Sequence, residues 1–75
     1  METKYKDITL EDYKRGIVEF IEKRAETEDE DEREDLLSEA ISLANRLADF
    51  DHKYMGARLG DMYREFKAQI EKGEL

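Results

Sequence analysis

The sequence contains no cysteine, no proline and no tryptophan, and only one histidine in 75 residues. Without cysteine the chain forms no disulfide, no thiolate zinc site, no iron–sulfur cluster and no thiol nucleophile. Without proline, no residue of the chain breaks a helix by removing its backbone donor. Because His52 is the only imidazole, no histidine pair can bind a metal within one chain. These absences exclude most metal and thiol chemistry and favour helix.

Long hydrophobic runs are also missing. The longest run without a charged residue, 40–45, has six residues, whereas a membrane-spanning helix needs about 20 apolar residues. The charged segment 1–7 has no apolar core of the kind found in a signal peptide. We therefore expect a soluble, cytoplasmic protein with no membrane partner.

Charge is plentiful and unevenly placed. Charged residues make up 45% of the chain, and the net charge is −8. Residues 1–24 hold six basic and six acidic residues, residues 25–51 hold two and eleven, and residues 52–75 hold five and four. Because an acidic protein repels polyphosphate, we expect no general binding to nucleic acid.

The spacing of apolar residues predicts three amphipathic helices, at about 10–25, 33–49 and 52–72. Thr9 followed by Asp12 predicts a capping box at the first helix, with Ile8 available to pack on Tyr13. Gly73 predicts the end of the third helix. The expected fold is all-α, a small antiparallel three-helix bundle in one domain, with the second helix central.

The centres of the three apolar faces predict the core. The residues at these centres are Phe20, Ile41, Leu47, Leu59 and Phe66. A domain of this size buries only about 60% of its unfolded surface, so contacts with a partner or in a homodimer would add stability. Asp51 is a plausible N-cap for the third helix. Since neither Gly nor Pro marks the break there, one continuous second and third helix is an alternative.

Two glycines, Gly56 and Gly60, fall inside the predicted third helix, where each costs about 0.5–1 kcal/mol relative to alanine. Four residues apart, they would share one face and form a flat groove. One interpretation is close packing of the third helix within the monomer. The other is a docking surface for another helix, in a homodimer or in a partner protein.

The most distinctive segment is an acidic run at residues 26–35, which carries eight carboxylates and one arginine. We expect residues 26–32 to form an acidic linker before the second helix. One interpretation is a solvated linker whose last residues face the positive end of the helix dipole. The other is a docking surface for a basic protein, or a weak cation site. The candidate partner-binding residues of the run are Glu28, Asp29, Glu30, Asp31 and Glu32.

A specific metal or cofactor is not expected. An EF-hand loop beginning at Asp29 would need glycine at its sixth position and glutamate at its twelfth. The sequence has Glu34 and Ala40 there. Catalysis is not expected either, because the nearest hydroxyl nucleophiles to His52, Ser38 and Ser42, lie about two to four helical turns away.

The expected function is therefore a small acidic helical protein-binding module, regulatory or inhibitory and non-catalytic. The alternative is an inhibitor that mimics nucleic acid and occupies a nuclease or DNA-binding protein through its acidic run. Salt dependence discriminates between the two, because mimicry predicts binding that weakens steeply with ionic strength.

Overall fold

Residues 9–75 are described by the structure, a computed structural model. Its elements in chain order are α1 (Leu10–Glu26), α2 (Glu30–Phe50), a 3-10 helix (His52–Tyr54) and α3 (Leu59–Glu71), and residues 9–75 contain no strand. The predicted all-α three-helix bundle is confirmed.

The start of α1 is the capping box that the sequence predicts. The Thr9 hydroxyl accepts a hydrogen bond from the Asp12 backbone N–H at 3.3 Å, and the Asp12 carboxylate accepts one from the Thr9 N–H at 3.0 Å. Two of the unpaired donors at the helix start are satisfied in this way. The predicted packing of Ile8 on Tyr13 lies outside the described residues.

The second helix is longer than predicted, because it begins at Glu30 rather than at residue 33. Asp29 is its N-cap, and the three acidic residues that follow lie in the first turn, facing the positive end of the helix dipole. The connection between α1 and α2 is therefore Thr27, Glu28 and Asp29 alone. The expected linker at 26–32 was too long, because most of its acidic residues are helical.

The third helix is shorter than predicted, and it is not continuous with α2. Asp51 ends α2 and caps the 3-10 helix, where its carboxylate accepts a hydrogen bond from the Lys53 N–H at 3.2 Å. Gly56 follows in a turn with φ of +79°, a conformation that side chains rarely adopt. α3 begins only at Leu59.

The two glycines singled out by the sequence therefore do not share a helix face. Gly56 lies in the turn, and Gly60 lies in the first turn of α3 with open space where a Cβ would be. The predicted flat groove, and with it close helix packing at these glycines, is wrong. The glycine that lies close to another helix is Gly16 in α1, where a Cβ would lie 2.8 Å from Leu43 Cδ1 of α2.

α1 packs along α2 and also contacts α3, whereas α2 contacts the 3-10 helix and touches α3 at few positions. The second helix, predicted to be central and most buried, carries four buried residues, against two each in α1 and α3. The buried core residues are Ile17, Val18, Ala44, Leu47, Ala48, Tyr54, Met62 and Phe66.

Two of the five predicted core residues, Leu47 and Phe66, are fully buried, and Leu59 packs against the core while half-buried. Phe20 is only half-buried. Ile41 is a wrong prediction, since 45% of it is exposed. Ile41 lies at the edge of the apolar face of α2, and it stays exposed to solvent because α3 packs against α1.

α3 ends at the predicted glycine. Gly73 has φ of +77°, its N–H bonds to the Ile70 carbonyl at 3.0 Å, and the Glu74 N–H bonds to the Gln69 carbonyl at 2.8 Å. This pair of hydrogen bonds is the Schellman motif. In the part of the chain that the structure describes, no helix has both the length and the apolar character required to cross a membrane.

Candidate functional site

The acidic residues converge where α1 ends and α2 begins. We name residues 26–35 the acidic corner, since they form the end of α1, the three-residue connection and the first turns of α2. All five candidate partner-binding residues of the run are exposed there. The other two candidates do not join them. Gly56 lies beyond the opposite end of α2, which at 21 residues is about 31 Å long, and Gly60 lies in α3.

Part of the acidic corner has a structural role. Asp29 Oδ1 accepts hydrogen bonds from the backbone N–H of Asp31 at 3.0 Å and of Glu32 at 3.5 Å, as an N-cap does. The Thr27 hydroxyl donates a hydrogen bond to the Glu32 carboxylate and so ties the end of α1 to the start of α2. Two of the five predicted binding carboxylates therefore stabilise the corner itself.

The other three carboxylates form no contact of this kind. The side chains of Glu28, Glu30 and Asp31 form no hydrogen bond and no ion pair within residues 9–75. The ion pairs of the described residues lie elsewhere: Arg15 with Asp12, Lys53 with Glu65, Arg64 with Asp61 and Lys67 with Glu22. The negative charge of the corner is therefore directed at solvent.

Two clefts flank the acidic corner, and each combines carboxylates with a half-buried leucine. The first cleft has a volume of about 280 Å³ and is lined by Arg24, Glu30, Arg33, Glu34 and Leu37. The second has a volume of about 410 Å³ and is lined by Lys23, Glu26, Thr27, Glu32 and Leu36. Beside its leucine, the first cleft has two arginines and two glutamates, and the second has one lysine and two glutamates.

A second polar cluster joins α1 to α3, and sequence reasoning missed it. The Glu22 carboxylate accepts hydrogen bonds from Lys67 Nζ and from the Tyr63 hydroxyl, the latter at 3.0 Å. The bond from Lys67, with a smaller contribution from Tyr63, lowers the pKa of Glu22, and the same contact with Glu22 raises the pKa of Lys67. The partners lie 41 and 45 residues apart, so no local pattern could have revealed them.

The residues considered for catalysis are not joined by hydrogen bonds within residues 9–75. His52, Ser38 and Ser42 are all exposed, and the Asp51 carboxylate next to His52 caps the 3-10 helix. Among residues 9–75, no group of three or more His, Asp or Glu side chains is placed to hold a metal ion. No protein-family model, curated protein or solved structure matches this chain.

Proposed function

We propose that this chain is a small, non-catalytic, acidic helical module that binds the basic surface of a partner protein and regulates or inhibits that partner. The observation that carries the proposal is the acidic corner, where eight carboxylates in ten residues include three exposed side chains that form no hydrogen bond or ion pair within residues 9–75. Repulsion among like charges at such spacing lowers the stability of the fold. Asp29 suffices to cap α2, and the helix dipole offsets repulsion in the first turn only modestly, so an external cation would stabilise the remaining charge.

The acidic corner acts mainly on the rate of encounter. Complementary charge steers two proteins together and raises the association rate, and this effect falls as salt screens the field. At an ionic strength of about 0.15 M the screening length is about 8 Å, so only a partner surface near the corner is attracted strongly.

The test separates the position of the charge from its amount. The corner variant carries Glu28→Gln, Glu30→Gln and Asp31→Asn, which spares the cap at Asp29 and the Thr27–Glu32 hydrogen bond. The matched control carries Glu11→Gln, Glu19→Gln and Asp49→Asn, three exposed carboxylates that also lack ion pairs within residues 9–75. Both variants lose three negative charges.

The probe is a 20-residue lysine-rich peptide, and its association rate is measured by stopped flow at low and at high salt. We expect the corner variant to associate several-fold more slowly at low salt, with the difference fading at high salt, and the control to change less. Equal slowing in both variants would show that only net charge matters, and the acidic corner would then not be a binding site.

The alternative function, mimicry of nucleic acid, has one observation in its favour. Asp31, Asp35 and Glu39 are exposed on one side of α2 at intervals of four residues, which corresponds to a rise of about 6 Å per step. They form a row of negative charges that a phosphate-binding groove would accept. If this function is correct, the chain competes with a DNA duplex for a non-specific DNA-binding protein, and Asp35→Asn with Glu39→Gln weakens the competition.

A further inference from the structure

Ile41 is one of four large apolar side chains that are exposed among the described residues. It belongs to the apolar face of α2, yet 45% of it is exposed. The third helix leaves it uncovered, because α3 packs against α1 and scarcely touches α2. Leu37, half-buried, lies one turn before Ile41 on the same side of α2 and lines the first cleft. The two side chains form an apolar strip that reaches the acidic corner.

Carboxylates border this strip at its end towards the start of α2. Glu30 and Glu34 line the same cleft as Leu37, and both are exposed without an ion pair within residues 9–75. Arg24 and Arg33 also line the cleft. Their two charges balance those of Glu30 and Glu34 within the cleft, and the negative charge at this end of the strip comes from the other six carboxylates of the acidic corner.

We propose that Leu37 and Ile41, with Glu30 and Glu34, form the docking strip for a basic amphipathic helix of the partner protein. The inference rests on the proposed function and specifies the partner's element. Apolar residues of such a helix, three and four apart, would pack on Leu37 and Ile41, while its cations would reach Glu30 and Glu34. A second copy of this chain is the wrong occupant, since a two-fold contact through the strip would bring two acidic corners together.

The experiment uses an 18-residue amphipathic helical peptide of leucine and lysine, and a peptide of the same composition shuffled so that it has no apolar face. Binding of both peptides to the full chain is measured by calorimetry. The variant is Ile41→Ser, and the matched control is Met55→Ser, which alters a methionine that is 60% exposed in the turn before α3. We expect Ile41→Ser to weaken binding of the amphipathic peptide about three- to tenfold, because docking buries only the exposed 45% of Ile41. Met55→Ser should leave binding unchanged.

Each outcome bears on one hypothesis. If Ile41→Ser binds the amphipathic peptide as tightly as the parent, the docking strip is refuted. It is also refuted if Ile41→Ser and Met55→Ser weaken binding of this peptide equally. The proposed function fails separately, when the corner variant associates with the lysine-rich peptide no more slowly than its control. Sedimentation of the parent chain adds a third outcome, because a dimer that Ile41→Ser converts to monomers would make the strip a self-interface and overturn the proposal. If Ile41→Ser is unfolded by circular dichroism, Ile41→Gln, which favours helix, is measured instead.

Discussion

Leu47 and Phe66 have no exposed surface, and each fills the space between helices at the centre of the core. Truncation of such a side chain loses its burial and leaves a cavity that its neighbours only partly fill. We expect Leu47→Ala and Phe66→Ala each to lower the free energy of unfolding by about 2–5 kcal/mol. Urea unfolding followed by circular dichroism measures the loss.

Ile41→Ala is the control for these truncations, because almost half of Ile41 already faces solvent. Its cost should be well below that of Leu47→Ala, although both residues lie on the apolar face of the same helix. Equal losses for Ile41→Ala and Leu47→Ala would mean that α3 covers Ile41 in solution, and the docking strip would not exist.

The two glycines near α3 should respond to alanine with opposite signs. Gly60 is helical with open space around its Cα, so Gly60→Ala should stabilise the protein by up to about 1 kcal/mol through helix propensity. Gly56 has φ of +79°, a conformation that is unfavourable for a residue with a Cβ. Gly56→Ala should therefore destabilise the protein by about 1–2 kcal/mol. Thermal unfolding of both variants checks the signs; stabilisation by Gly56→Ala would place Gly56 inside a helix, as the sequence suggested.

At the scale of the element, Asp29 determines where α2 begins. Its carboxylate accepts two backbone N–H groups of the first turn. Asp29→Ala should cost about 0.5–2 kcal/mol, whereas Asp29→Asn should keep most of the stability, because asparagine caps a helix about as well. The unfolding midpoints of the two variants measure this difference. Equal loss in both would show that the charge of Asp29, and not its cap, supports the helix.

Helix ends were predictable where the signal is local. Thr9 with Asp12, and Gly73, mark real ends because each satisfies backbone groups within a few residues. The start of α2 was misplaced because residues 30–32 look like a solvated linker by composition, although acidic residues are favourable in a first turn. The start of α3 was misplaced because sequence spacing does not distinguish a helical glycine from the positive-φ turn at Gly56.

At the scale of the whole molecule, the sequence predicted three helices but not how α3 is placed against the other two. Hydrophobic spacing locates an apolar face, but the part of that face that is covered depends on how α3 is placed against α1. The exposure of the acidic corner was predictable, since charges this dense cannot be buried unpaired. The clefts beside it were not, because Leu37 and Arg24 come together there from different helices.

The attachment of α3 to α1 gives the molecule a pH dependence. Hydrogen bonds from Lys67 and Tyr63 lower the pKa of Glu22 from its usual 4.5. Because the folded pKa lies below the unfolded one, this contact stabilises the fold fully above the unfolded pKa and is lost as pH falls through the folded pKa. Glu22→Gln should therefore be less stable than the parent at neutral pH, and the difference should shrink once pH falls below about 4.5.

The control for this prediction is Glu19→Gln, which alters an exposed carboxylate on the same helix that has no ion pair within the described part of the chain. Urea midpoints of parent, Glu22→Gln and Glu19→Gln are compared at about pH 7 and about pH 3. Protonation of the many other carboxylates affects all three proteins, so only the differences between them report on Glu22. A Glu22→Gln deficit as large at pH 3 as at pH 7 would show that the carboxylate charge does not hold α3 on α1. If Glu22→Gln is less stable than the parent at pH 7 but not at pH 3, and Glu19→Gln shows no such change, Glu22 is the electrostatic attachment of the third helix.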